Sequence, residues 1–489
     1  MVTGSLTKDT EAIPDSVTRG GEQEERLNVR QFVNAGARLD RLPISRLHWR
    51  ILGLITAGAT LDAFDIYLAG GVVAAMLKEG FATTQQSAIF ISTTFFGMLI
   101  GAGFAGYLGD RMGRRYSYQF NLALFGVASL AACFAPNVTV LTVLRFIMGT
   151  GMGAELVVAA GTLCEFVPPA YRGRWISMLG IVTNAGLLLA STIGYIVIPT
   201  FGWRYMFAIV GIGALIVWGL RKKMPESPRW LEAVGRLDEA EATLRAFEGE
   251  VGQGRELPAP AMVRQRPIVE TPFSTLFRPG MIGRTITAAL TVMAVNVSVY
   301  GFVAWLPTFL LKQGMTIVQS LGFTTLMSFG SVAGALVGMA VGDRFSRQKS
   351  LLAPCAAIAA LGLLYPMLRD PAEITITGFA LVTAIYTLVT LGLYAYVPEL
   401  FPTEYRLRGT GVAGVCGRAA SITTPYLTVY LFTNFGLRGV LWMVIVMLAA
   451  LSTAILTLRV ETAKISLDDN VVIAGADDRS SAVAHDQGI

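Results

Sequence analysis

Charge is scarce in this chain: only 15% of its 489 residues are Asp, Glu, Lys or Arg, against 53% hydrophobic. Ordinary soluble domains carry about 25% charged residues, so the shortage excludes a water-soluble fold of this size. Histidine is nearly missing. The two present, His48 and His485, lie at or beyond the ends of the apolar blocks. No nucleophile with its base, metal cluster or nucleotide-binding loop is legible, so neither an enzyme nor a bound metal or cofactor is expected. Without an ATP motif, any work has to draw on a gradient. The four cysteines, Cys133, Cys164, Cys355 and Cys416, fall inside or at the edge of apolar blocks without paired spacing, which implies neither disulfides nor a metal site. The net charge of +6 is spread over short loops instead of one polar face, which argues against nucleic acid as a partner.

What is abundant is long apolar sequence, with a mean hydropathy of +0.57. Crossing a hydrocarbon core of about 30 Å takes roughly 20 helical residues, and blocks of that length recur. They place spans at 49–75, 86–108, 117–135, 138–162, 175–198 and 203–221, then 282–311, 318–341, 350–367, 373–397, 409–432 and 437–458. The expected fold is an all-α polytopic membrane protein. Its segments are a disordered tail (1–46), a six-helix bundle (47–221), a linker (222–280), a second six-helix bundle (281–460) and a C-terminal tail (461–489). The tail over 1–46 lacks the apolar core and small-residue site of a cleavable signal. Loops after even-numbered spans hold the basic residues: Arg111, Arg114 and Arg115; Arg172 and Arg174; Arg221, Lys222 and Lys223; Arg344, Arg347 and Lys349; Arg406 and Arg408. The positive-inside bias puts them, both termini and the linker in the cytoplasm.

The two halves repeat. Gly109-Asp110-Arg111-Met112-Gly113-Arg114-Arg115 after span 2 returns 233 residues later as Gly342-Asp343-Arg344-Phe345-Ser346-Arg347-Gln348. Glu165-x-x-Pro168-x-x-x-Arg172 after span 4 returns 234 residues later as Glu399-x-x-Pro402-x-x-x-Arg406. Two motifs keeping one offset indicate duplication, and two like bundles around a midplane site form a transporter design.

With these motifs and the run Pro225-Glu226-Ser227-Pro228-Arg229-Trp230-Leu231, the chain from 47 to 460 resembles the major facilitator superfamily. Its loops are similar to those of the sugar-porter branch. The resemblance implies that Asp110, Arg111, Arg114, Glu165 and Arg172 in one half, with Asp343, Arg344, Glu399 and Arg406 in the other, form charge networks closing the cytoplasmic face. The bland alternative is topology signalling by the basic residues alone. The linker reads equally as a brace for that gate or as a tether.

Ionisable residues inside spans are costly enough to be functional candidates. Span 1 carries Asp62 and Asp65, three apart and on one helix face, and span 4 carries Arg145. A carboxylate whose burial favours the neutral form and whose nearby cation favours the ionised one can gain and lose a proton. Sugar porters likewise face an acid on span 1 with an arginine on span 4, and Asp65 aligns with that acid. The Asp-x-x-Asp arrangement looks like that of aromatic-acid:proton symporters. A static Asp65–Arg145 ion pair is the competing reading. Glu155, about 15 Å further along span 4, is a candidate proton relay, cation ligand or structural bond. Arg418 in span 11 suits a carboxylate ligand through its planar fork. The repeat offset pairs it with Asn184 in span 5 and pairs Asp62 with Asn296 in span 7. Among the aromatics Tyr67, Tyr300, Trp305, Tyr386, Tyr394 and Tyr426, about two are expected to touch substrate, most membrane aromatics being packing or interface residues.

Sugar porters carry glutamines on spans 5 and 7. Neither span has one here, which disfavours a sugar or polyol, and span 5 lacks the Gly-Pro-rich motif of the drug-efflux branch. A receptor that binds without transporting usually appends a signalling domain, and the tails here are short. The remaining expectation is proton-coupled uptake of a small organic anion, aromatic or otherwise, by a monomer in a cell's inner membrane.

Overall fold

The computed structural model describes residues 31–32, 34–222, 224–252, 257–260, 263–264, 272–342, 344, 346–402 and 405–458. In lipid every backbone donor and acceptor has to be satisfied within the segment, which leaves helices as the only open-ended solution. The apolar blocks accordingly form helices α2 (Arg46–Glu79), α3 (Thr84–Met112), α4 (Arg114–Cys133), α5 (Val138–Phe166), α6 (Pro169–Phe201) and α7 (Arg204–Arg221) in the first half. Short helices α8 (Pro228–Ala233) and α9 (Leu237–Gly252) follow in the linker. The second half holds α10 (Ile282–Gly301), α11 (Leu306–Lys312), α12 (Ile317–Gly342), α13 (Arg347–Leu364), α14 (Pro371–Val389), α15 (Val397–Glu399) and α16 (Arg406–Leu458). A π-helical stretch, Thr390–Tyr396, joins α14 to α15.

Among the described residues, ten helical stretches are long and apolar enough to cross a membrane. One of them covers 408–458 and divides at Gly436, whose φ of 64° breaks the helix between spans 11 and 12. The polar start of α4 (Arg114, Arg115, Tyr116, Ser117) keeps the third span below the hydropathy of its neighbours. The sum is twelve spans in an all-α fold, with one two-residue strand pair, Gln31–Phe32 against Val263–Arg264.

Helix ends are fixed by local chemistry. Thr83 and Gln86 cap α3 reciprocally, and the Asn137 side chain accepts from Val140 N at the start of α5. Asp370 accepts from Ala372 N and Glu373 N ahead of Pro371 in α14. Spans 2 and 4 then pack backbone to backbone: a Cβ at Gly149 would lie 2.3 Å from the Thr94 carbonyl oxygen. Small residues permit such approach where hydrophobicity cannot drive helix association.

Residues 34–46, expected to belong to a disordered tail, are ordered. They form α1 (Ala35–Asp40), which packs with the linker helices against the first bundle. Phe247 of α9 meets Phe166 of α5 at 5.9 Å between ring centroids, so the linker is docked along this length. The end of the molecule carrying it is here termed the linker face.

The docking is charged as well as apolar. Glu248 accepts from Arg38 Nε at 3.0 Å and from Arg41 Nη2 at 2.6 Å, and Glu241 pairs with Arg38. Burial pushes both carboxyls up, but the arginine hydrogen bonds outweigh it and hold them below the ordinary glutamate range. A carboxylate depressed in the folded state contributes stability above its unfolded pKa, and that contribution is lost as pH falls through the folded value. Helix α1 is therefore expected to loosen as pH drops below about 4, near the ordinary glutamate value, while the spans stay folded. Hydrogen exchange of residues 35–40 at neutral and acid pH measures this; equal protection at both would mean that apolar contacts alone hold the segment.

Candidate functional site

A central cavity of about 480 Å³ lies between the bundles. Its polar lining is Asp62 and Tyr67 from α2, Thr183 and Asn184 from α6, Asn296 and Tyr300 from α10, Tyr394 from the π-helical stretch, and Arg418 and Ser421 from α16. Phe95, Met98 and Met152 supply much of the apolar wall, and the Phe95 and Tyr300 rings meet at 4.3 Å. Lining residues Ile176, Leu393 and Pro398 draw the cavity toward the linker face. At the opposite end the halves are bonded together. Thr325 Oγ1 donates to Ser191 O at 3.0 Å, and Ser92 Oγ donates to Ile422 O at 2.6 Å.

A larger groove, about 1000 Å³, runs along the outer surface of spans 11 and 12 past Trp442 and Met447. It is apolar, and its one charged lining residue is Arg438, so it suits lipid rather than polar cargo.

Three acids predicted inside the spans have three different settings. Asp65 and Arg145 are an enclosed pair, 2.5 Å apart with side chains 0% and 1% exposed. Arg145 Nε also donates to Thr94 Oγ1 at 3.0 Å, and the Phe90 ring lies 4.9 Å from the guanidinium carbon. The close approach at Gly149 brings Thr94 within that reach. Glu155 is held by Arg221 at 2.5 Å, with side chains 2% and 1% exposed. Arg221, expected as one of a basic loop group with Lys222 and Lys223, instead turns inward. Its Nε donates to Leu54 O at 2.9 Å and its Nη2 to Ile55 O at 3.1 Å, because a guanidinium at a helix end is long enough to reach back to a buried carboxylate. Asp62 is 5% exposed, and neither of its oxygens has a hydrogen-bond partner among the described residues.

Arg418 lies across the same cavity, half-buried, with no ion pair or hydrogen bond among the described residues. Asn296 Nδ2 donates to Gly417 O at 2.8 Å, tying α10 to α16 beside it. Tyr386 is fully buried behind Tyr67, ring centroids 6.5 Å apart, and is absent from the cavity lining. Trp305 is buried in the 3-10 turn that joins α10 to α11, and Tyr426 is exposed on the outer surface.

At the linker face, Arg114 pairs with Glu165 at 3.0 Å within the first bundle, and Arg347 with Glu399 at 2.7 Å within the second. Arg344, expected among the gate residues, sits in an exposed turn, and the arginine bonded to Glu399 is Arg347. The repeat offset held the signal, since Arg347 lies 233 residues after Arg114. Arg172 bonds Asp40 at 3.0 Å, with Arg229 on the same oxygen at 2.6 Å; Asp40, in the segment read as disordered, was not anticipated. Arg111 is exposed and Arg406 opens α16. The side chain of Asp110, and Asp343 altogether, lie outside the described residues.

Chemically, two neutral pairs flank one unpaired carboxylate, and an unpaired guanidinium faces it across the cavity. Removing one partner of a buried pair costs about 3–5 kcal/mol. Asp65→Asn should therefore lower the unfolding temperature of the purified protein markedly. Asp62→Asn, which removes an uncompensated carboxylate, should leave it unchanged or raise it. Equal losses in the two variants would show that Asp62 has a counter-ion.

The family model described as sugar (and other) transporter matches residues 52–471. The chain is 34% identical over 447 residues to the inner membrane metabolite transport protein YdjE of Escherichia coli, covering 90% of this chain and 99% of that one. It is 31% identical to the niacin transporter NiaP of Acinetobacter baylyi over 87% of this chain and 97% of that one. Among solved structures, a partially occluded inward-open conformation of the xylose transporter XylE from Escherichia coli superposes with a TM-score of 0.67. It is 19% identical, covering 86% of this chain and all of that one.

Proposed function

The chain belongs to the sugar (and other) transporter family of the major facilitator superfamily, and on that premise we propose that it carries a small organic anion, aromatic or other carboxylate, together with protons. The observation that carries this reading is the charge balance of the cavity. Asp65 with Arg145 and Glu155 with Arg221 are self-neutralising, which leaves Asp62 for a proton and Arg418 for an anion. A planar guanidinium takes a carboxylate through two parallel bonds. The apolar wall of Phe95, Met98 and Met152, with the ring of Tyr300, suits a flat apolar body. Niacin, a small aromatic monocarboxylate, is the cargo named for one relative.

In this scheme a proton on Asp62 removes the repulsion that its carboxylate exerts on an incoming anion. Asp65 and Arg145 set the field in which Asp62 titrates, and Asn184, Asn296 and Tyr394 orient the ligand. With the anion on Arg418 and the proton on Asp62 the cavity is electrically neutral, the state in which the two bundles rock most cheaply through the low-dielectric midplane. The linker face is cytoplasmic by the positive-inside bias, both termini lie there, and cargo moves inward. The Arg114–Glu165 and Arg347–Glu399 pairs and Arg172 belong to the gate at that face. Each chain encloses its own cavity, so the monomer is the working unit.

The test uses protein reconstituted in liposomes with an internal pH dye, given nicotinate, aliphatic carboxylates and xylose. Nicotinate or another carboxylate should acidify the lumen. Asp62→Asn should abolish acidification while sparing exchange of labelled substrate, and Arg418→Ala should weaken apparent affinity by about 30-fold or more, as expected for loss of a buried charge partner. Acidification by xylose alone would make the protein a proton-coupled sugar symporter and sink the anion reading.

A further inference from the structure

The neutral pair Glu155–Arg221 is placed oddly for a merely structural bond. Arg221 ends α7, yet it is fastened to Leu54 O and Ile55 O of α2, the helix that bears Asp62. Between these anchors and Asp62 stands Gly58, against which both members of the pair lie. A Cβ there would be 2.1 Å from Arg221 Nη2 and 2.4 Å from Glu155 Oε1. Asp62 follows Gly58 by four residues on the same helix face, a rise of about 6 Å. A guanidinium has five N–H donors, and the bonds to Leu54, Ile55 and Glu155 take one each. The acceptors around it are equally incomplete: Glu155 Oε2 and both Asp62 oxygens are buried without a partner among the described residues. The ring of Tyr118 lies 4.8 Å from the Arg221 guanidinium carbon.

We infer that Arg221 is a positioning residue that exchanges partners between Glu155 and Asp62, and that Glu155 takes the proton of Asp62 on its way to the linker face. The inference rests on the reading of Asp62 as proton carrier. The step balances. Protonated Asp62 with ionised Glu155 and Arg221 becomes ionised Asp62 with protonated Glu155 and Arg221, each state holding one carboxylate and one guanidinium. No net charge is buried or released, so the transfer avoids the desolvation cost of a lone buried ion. Glu155 then gives its proton up toward the linker face. The other groups facing Asp62 are Asp65 on its own helix, Arg145 on α5, and Tyr67, Tyr300, Tyr394 and Arg418 around the cavity. Of the cations, Arg145 is already committed to Asp65, and Arg418 is the competitor that a test has to separate.

Infrared difference spectroscopy of the full chain in lipid, titrated with pH in the absence of substrate, reads the carbonyl band of protonated Asp62, assigned by its loss in Asp62→Asn. In Glu155→Gln the guanidinium stays with Asp62, and the midpoint of the band should fall by about one pH unit or more, the effect of an opposite charge at contact distance. In Arg221→Gln it should rise, and Arg221→Lys should return it toward wild type. Gly58→Ala keeps every charge but displaces the guanidinium, and it should act in the direction of Arg221→Gln. A midpoint shared by wild type, Glu155→Gln and Gly58→Ala would overturn the exchange, and so would a shift produced only by Arg418→Gln. If wild type shows no such band at any pH, the reading of Asp62 itself fails, and the exchange with it.

Discussion

An ion without a counter-ion is the costliest thing this fold can hold, because the surrounding lipid and packed helices offer no water to solvate it. That constraint organises the first bundle. Arg145 on α5 and Arg221 on α7 are each neutralised by a carboxylate, one on α2 and one on α5. The bonds tie the three helices together at two depths. Span 2 closes on span 4 at Gly149, which puts the Thr94 hydroxyl on Arg145. Between the two neutral pairs α2 presents Asp62, and the need to neutralise it, by proton or by counter-ion, is what connects the packing of the bundle to its chemistry.

The second bundle meets the same constraint differently. It descends from the same repeat, yet Asn296 stands where the first half has Asp62, and Arg418 where the first half has Asn184. The repeat supplies two equivalent depths, and charge on only one member of each pair makes one wall of the cavity acidic and the other basic. A symmetric cavity would carry both charges on both walls or neither, with no separate place for an anion and for a proton. The proposed function rests on that broken symmetry, while the Arg114–Glu165 and Arg347–Glu399 pairs keep the symmetry of the repeat at the linker face.

The N-terminal segment and linker add a layer that hydropathy does not register. Helices α1, α8 and α9 are too short and too polar to read as spans, yet Leu39, Leu244 and Phe247 are buried against the first bundle. Arg38, Arg41 and Asp40 join the same assembly through ion pairs. Isolated short helices are marginal in water, and most of their stability comes from tertiary contacts; a composition dominated by charge therefore looked disordered until the partner surface was in view.

The sequence by itself determined the number and order of the spans, the duplication, and which charged residues fall inside the spans. These follow from local quantities: the run of apolar residues needed to cross lipid, the spacing of repeated motifs, and the expense of an ion in that run. Only the tertiary structure decided who pairs with whom. Arg221 read as a loop charge and is a buried partner of Glu155; Asp65 is locked to Arg145 while its neighbour Asp62, one turn away, is not; Tyr386 lies behind Tyr67 instead of in the cavity. Helical spacing says which residues share a face, but a long side chain reaches across helices whose sequence separation is 66 or 80 residues. Whether a buried charge is satisfied therefore depends on three-dimensional neighbours that no linear pattern specifies.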